Sequence, residues 1–142
     1  MVNDYRDWGI ALGRRFRALK LWFVIRNFGV QGIQERVRLH ITFARKLADE
    51  IRKQPDFELL NEPQLNTVCF RFRPTRITQD QELDALNEKL LSALNASGKL
   101  FLSHTRLNGK YTLRMVTSQT YVKEKHVMMA WDLIRRTASE IT

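Results

Sequence analysis

Cysteine is nearly missing from this sequence: Cys69 is the single one among 142 residues. That excludes an intrachain disulfide and a multi-cysteine metal site, and nothing points to an oxidising compartment. No apolar run approaches the ~20 residues of a membrane span. Met1 to Trp8 lacks the charged start and apolar core of a signal peptide, so a chain with no membrane segment, in the cytoplasm, is expected. Glycine is sparse, with six residues, and the one Gly-x-x-Gly spacing, Gly29 to Gly32, is too weak to mark a phosphate cradle. His104 has no acidic or cysteine neighbour at ligand spacing, and no metal site is implied. No Ser-His-Asp constellation, catalytic carboxylate pair, internal repeat or low-complexity segment is present.

What the sequence has is an apolar complement and a surplus of positive charge. At 44% hydrophobic, the chain is long enough for one domain with a core and too short for a cofactor domain plus a cap. Lysine and arginine number 24 against 15 acids, a net charge of +9, which raises nucleic acid as a partner. The position of the charge argues against that reading. Arg6, Arg14, Arg15, Arg17, Lys20 and Arg26 lie among Trp8, Phe16, Trp22, Phe23 and Phe28, where an arginine can pair with a carboxylate of another domain.

Apolar residues from Arg14 to Phe28 cover more than one helical face, which describes a helix buried on several sides. Gly29 and Gly32 bracket a break. A second helix over 33–53 carries the stripe Ile33, Val37, His40, Ala44, Leu47, Ala48, Ile51. Pro55 ends it, and Phe57 to Leu60 reads as a short strand. Thr67 to Arg73 alternates, with Val68, Phe70 and Phe72 on one face and Cys69, Arg71 and Arg73 on the other, as in a half-buried strand. Thr78 with Gln81 has the form of a capping box ahead of a helix bearing Leu83, Leu86, Leu90 and Leu94. Glu82, Asp84 and Glu88 read as its exposed flank. Strands over 100–105 and 110–116 flank Arg106-Leu107-Asn108-Gly109, where Asn-Gly suits a tight hairpin. A last helix over 121–139 places His126 on an apolar stripe. His40 and His126 are expected to be packed or hydrogen-bonded in the core. The order predicts an α+β fold: a small antiparallel sheet of about four strands with helices on one face.

Asp4-Tyr5-Arg6-Asp7-Trp8, then Gly13-Arg14-Arg15-Phe16-Arg17-Ala18-Leu19-Lys20-Leu21-Trp22, resembles the region after the active-site loop of the pyridoxal-phosphate-dependent aromatic amino acid decarboxylases. Phe23-Val24-Ile25-Arg26, Phe28-Gly29-Val30-Gln31-Gly32, Val68-Cys69-Phe70-Arg71, Tyr111-Thr112-Leu113-Arg114 and Ala130-Trp131 follow in that family's order, so the likeness is to its C-terminal part. The resemblance implies a helical interdomain segment over 1–32 that packs on a large cofactor domain, and a small α+β domain over 33–142. It implies a carboxy-lyase that converts an L-amino acid, aromatic by resemblance, to its amine and CO2, with pyridoxal phosphate in the complete enzyme and a homodimeric assembly.

In that family the cofactor lysine lies upstream, in an Asn-x-His-Lys motif, and so does a loop tyrosine that protonates the intermediate. Neither is in this sequence. The chain by itself is therefore expected to bind no cofactor, to be inactive, to contribute no catalytic residue, and to need the large domain as partner. By resemblance Asp4, Arg6, Arg14 and Arg17 lie near the active site or in an interdomain ion-pair layer. Two other classes stay open: a non-catalytic protein-interaction module that has kept the fold, and, less favoured, a basic nucleic-acid-binding domain.

Overall fold

The computed structural model describes residues 15–142. The chain divides into two compact units, Met1–Arg36 and Val37–Thr142. The elements in order are α1 (Ala18–Arg52), β1 (Phe57–Leu59), β2 (Thr67–Phe72), α2 (Asp80–Ala96), β3 (Ser103–Leu107), β4 (Lys110–Val116) and α3 (Glu124–Glu140).

α1 is two helical stretches meeting at a kink, as the glycine break in the sequence led one to expect. Inside α1, Gly29 has φ 64 and ψ 173, a conformation open in practice to glycine alone. In the first unit every described residue from Arg15 to Val30 is exposed except the half-buried Phe28, over whose ring Arg36 lies at 4.1 Å.

In the second unit all strand pairs are antiparallel and the sheet order is β1-β2-β4-β3. One cluster joins Phe43, Ala44, Leu47, Ala48 and Ile51 of α1, Leu90, Leu91 and Leu94 of α2, and Val127, Trp131, Ile134 and Ala138 of α3. It closes on Val68, Phe70, Phe72, Leu113 and Met115 of the sheet. A single cluster on alternate strand positions means that the helices share one sheet face, as the α+β reading predicted. Phe57 and Phe70 flank the α3 indole, at 4.8 Å and 6.0 Å from Trp131, both edge-on.

The hairpin is tighter than expected. Leu107 pairs with Lys110, so only Asn108 (φ 51) and Gly109 (φ 80) turn, and the positive φ at both is what makes Asn-Gly suitable. β3 accordingly lies at 103–107, and Leu100 to Leu102 is outside it. Thr78 does not cap α2. Its N-cap is Gln79, which makes no side-chain capping bond.

The side of the sheet away from the helices departs most from expectation. β2 is closed on both faces: Cys69 is buried and Arg71 is only 2% exposed, where a wet face was read. Burial pushes the Cys69 thiol above its ordinary range, with the Arg114 charge opposing it, so nothing activates it as a nucleophile.

Candidate functional site

Beyond Phe70↔Leu113 no further β2–β4 pairs form, and α2 takes over the freed backbone groups. Asn87, fully buried, accepts from the Phe72 N–H at 2.8 Å and donates to the Phe72 and Leu83 carbonyls at 2.8 Å. One turn earlier, the Asp84 carboxylate accepts from the Tyr111 N–H at 2.8 Å and from Arg106 Nη1 at 2.8 Å. Two α2 side chains thus satisfy strand backbone that would otherwise be buried without partners. Asp84 is therefore part of the fold and not an exposed flank. The signal for Asn87 was available, since an amide stands between Leu83 and Leu90 at helical spacing.

At the same end of the sheet, on the face away from the helices, lies a charge network. Arg71 donates from Nε to Glu58 at 2.6 Å and from Nη1 to Asp80 at 2.9 Å, and Lys110 reaches the other Glu58 oxygen at 3.1 Å. Glu58 and Arg71 are opposite one another in the β1–β2 register, so strand pairing itself sets the contact. Burial pushes the Glu58 carboxyl up, but the hydrogen bonds and charges of Arg71 and Lys110 outweigh it and hold the group below its ordinary range. The bond from Arg71 likewise lowers Asp80. Chemically the array is a satisfied structural ion cluster with no carboxylate left over to act as acid or base.

A recess of about 1220 Å³ runs beside α3 and is lined by Leu100, Phe101, Val122, Met129 and Leu133, with Lys99 and Arg136. His126 lines it too. This histidine is exposed and not a core residue, and its Nδ1 accepts the Lys123 N–H at 3.2 Å at the start of α3. His40 is half-buried and its carbonyl accepts from the Thr117 hydroxyl at 2.9 Å.

Of the residues singled out by resemblance, Asp4, Arg6 and Arg14 lie outside the described residues. Arg17 is described: it stands exposed at the foot of α1, with its N–H on the Arg15 carbonyl at 2.7 Å.

Pyridoxal phosphate requires a lysine for the Schiff base, a partner for its ring nitrogen and a cradle for its phosphate. Five of the eight described lysines do not fit. Lys46, Lys53 and Lys110 are paired with Glu124, Glu50 and Glu58, and Lys89 reaches the Ile141 carbonyl. Lys99 lines an apolar recess beside no glycine-rich phosphate loop. None of these five is set in a glycine-rich phosphate cradle.

Comparison with known proteins gives a consistent answer. Residues 1–73 match the model of the pyridoxal-dependent decarboxylase conserved domain. Tyrosine decarboxylase 2 of Arabidopsis thaliana is 40% identical over 141 residues, covering 99% of this chain and 26% of the relative. Aromatic-L-amino-acid decarboxylase of Rattus norvegicus is 39% identical over 141 residues, covering 99% and 28%. Among solved structures, that of Oryza sativa TDC with PLP and tryptamine matches with TM-score 0.84 and 35% identity over 99% of this chain and 30% of that one. Catharanthus roseus tryptophan decarboxylase in complex with L-tryptophan gives TM-score 0.80 and 34% identity, covering 98% and 29%. The chain thus spans under a third of the length of these relatives, and it belongs to the pyridoxal-dependent decarboxylase family.

Proposed function

We propose that this chain is the C-terminal portion of a pyridoxal-phosphate-dependent carboxy-lyase that removes CO2 from an aromatic L-amino acid to give the amine. The cofactor supplies the electron sink for that reaction. In this reading its lysine, its phosphate cradle and the proton-donating tyrosine come from a large domain outside this chain. Residues 33–142 cover that domain, and residues 1–32 join the two. Asp4, Arg6, Arg14 and Arg17 stand at the join, as ion pairs that hold the mobile loop or as neighbours of the substrate. The complete protein acts as a homodimer in the cytoplasm, and this portion by itself is inactive.

One observation carries the reading: the likeness to decarboxylases runs through essentially the whole chain in sequence and in fold together. The internal build of the second unit suits a covering role, since Glu58, Arg71, Asp80, Asp84 and Asn87 are engaged in holding the fold.

The test is the mass of the native polypeptide in its source cells, detected with an antibody to this chain and mapped by peptides. A product several times longer, with an Asn-x-His-Lys segment upstream, is expected. A product of about this size overturns it and favours the second reading, a non-catalytic interaction module on the same fold. The exposed apolar helix of the first unit suits that module equally well. Capture of a full-length decarboxylase by the isolated chain then distinguishes a pairing role from nucleic-acid binding, whose affinity falls steeply with salt.

A further inference from the structure

Most apolar side chains of the second unit are buried, but Phe101 (82% exposed), Met129 (65%) and Val116 stand open, and all three line the recess beside α3. The recess follows α3 from His126 to Glu140, a length of about 21 Å at the helical rise. Its other residues come from the end of α2, the α2–β3 connection and the end of β4. A volume of about 1220 Å³ is ample for a small molecule, and a concave apolar lining with a few polar groups is what such ligands need. Two methionines, Met115 and Met129, are among the lining residues. Their unbranched thioethers adapt to a flexible chain better than to one rigid shape.

Charge selects the ligand further. Two cations line the recess, Lys99 from the α2–β3 connection and Arg136 from α3. Neither has a carboxylate partner among the described residues; Arg136 Nε reaches the Asp132 carbonyl, at 3.3 Å. Of the acids in the lining, Asp132 is paired with Arg135, and Glu140 stands exposed in the last turn of α3. The open cations therefore exceed the open acid by one, and a ligand with a single negative charge leaves the recess neutral. A cationic ligand would meet both cations beside apolar walls, where repulsion is poorly screened.

We propose that the recess beside α3 binds an amphipathic monocarboxylate with one alkyl chain, a fatty-acid-like ligand. Its carboxylate lies on Lys99 and Arg136, and its chain follows Leu133, Met129 and Phe101 toward Val122. Every one of these residues belongs to the second unit, so the site depends neither on the first unit nor on the proposed function.

The test titrates the whole chain, isotope-labelled at its four methionine methyls, with dodecanoate below the concentration at which it self-associates. The Met115 and Met129 methyl signals are expected to shift saturably, and that of Met128, on α3 but outside the lining, to move less. From octanoate to dodecanoate, each added methylene is expected to raise affinity about two- to fourfold, as burial of an alkyl chain requires. Lys99→Gln together with Arg136→Gln is expected to weaken binding about tenfold through loss of charge-assisted hydrogen bonds, whereas Arg45→Gln, at an exposed cation outside the recess, leaves it unchanged. Phe101→Glu and Met129→Glu each set a charge against the chain and are expected to abolish binding. Both positions are exposed, so the fold is kept, and either variant serves alone if the other is poorly folded.

No saturable shift at Met115 and Met129 overturns the proposal, as does equal affinity for dodecyltrimethylammonium or unchanged binding in the double variant. Binding that follows Trp22 fluorescence while the Met129 methyl stays fixed places the alkyl chain on the exposed helix of the first unit and overturns it too. Binding only to dodecanoate micelles or to phosphatidylglycerol vesicles identifies an anionic lipid surface in place of a free acid, with the same consequence.

Discussion

Residues 15–36 and residues 37–142 are both rich in apolar side chains, yet they place them oppositely. In the second unit Phe70, Leu47, Ile51 and Leu113 are fully buried; in the first, residues of the same kinds lie in solvent. Hydrophobic content sets what has to be buried, and only the number of neighbouring layers sets whether one chain can do it. The second unit has a sheet and three helices around one cluster. Among its described residues the first has only helix, and the apolar side chains of that helix lie in solvent.

Four outcomes test this contrast. The largest is expected from Phe70→Ala, which removes a fully buried ring beside Trp131 and should cost about 3–5 kcal/mol in urea unfolding. A loss below about 1 kcal/mol would mean that the cluster is not the core. Next is Arg71→Ala, which strands Glu58 beside the empty position and should cost about 3 kcal/mol, somewhat less than a fully buried pair because Glu58 is partly exposed. Pairing Arg71→Met with Glu58→Gln should recover part of that loss, because neither variant then leaves a buried charge.

The third is the response to acid. The Glu58 carboxyl is held below its unfolded value, so at mildly acidic pH the unfolded chain binds more protons than the folded one and stability rises with pH. The Glu58 contribution is therefore complete above the ordinary carboxylate range and is lost as the pH falls through the lowered folded value. Glu58→Gln should flatten that acid slope in a denaturation series, and a slope unchanged by the substitution would remove the network from the account. The smallest effect is expected from Trp22→Ala: a change within about 0.5 kcal/mol in unfolding, together with less self-association in light scattering. Destabilisation comparable with that of Phe70→Ala would mean that the first unit buries its aromatics within the isolated chain, and the contrast would fail.

Much of this architecture was legible in the residues. Alternation in Thr67 to Phe72, Asn108-Gly109 between two strands, and leucines at helical spacing in α2 each follow from local geometry, so pattern alone located them. Arg71 was not legible as buried, because an arginine on the polar side of an alternating strand ordinarily faces water; Glu58 and Asp80 come to it only through the β1–β2 register and the start of α2. Asp84 and Asn87 were missed for the same kind of reason. Their partners are backbone groups of Tyr111 and Phe72, 27 and 15 residues away, and no local pattern announces a strand pair that parts. Thr78 shows the converse, a local signature without the local structure: α2 starts at Asp80 with Gln79 at its cap. Of the site residues, Arg17 was singled out by resemblance, near the active site or in an interdomain layer, and stands exposed, while Asp4, Arg6 and Arg14 lie outside the described residues.

The sequence by itself determined the helix and strand periods, the turn chemistry, the excess of cations near the N-terminus and the family, since each is carried by residue identity at fixed spacing along the chain. The tertiary structure alone decided which polar groups are buried and satisfied, which histidine caps a helix, and which apolar helix is left uncovered. Those depend on contacts between segments far apart in sequence, where register and layering, not local pattern, set the distances over which hydrogen bonds and burial act.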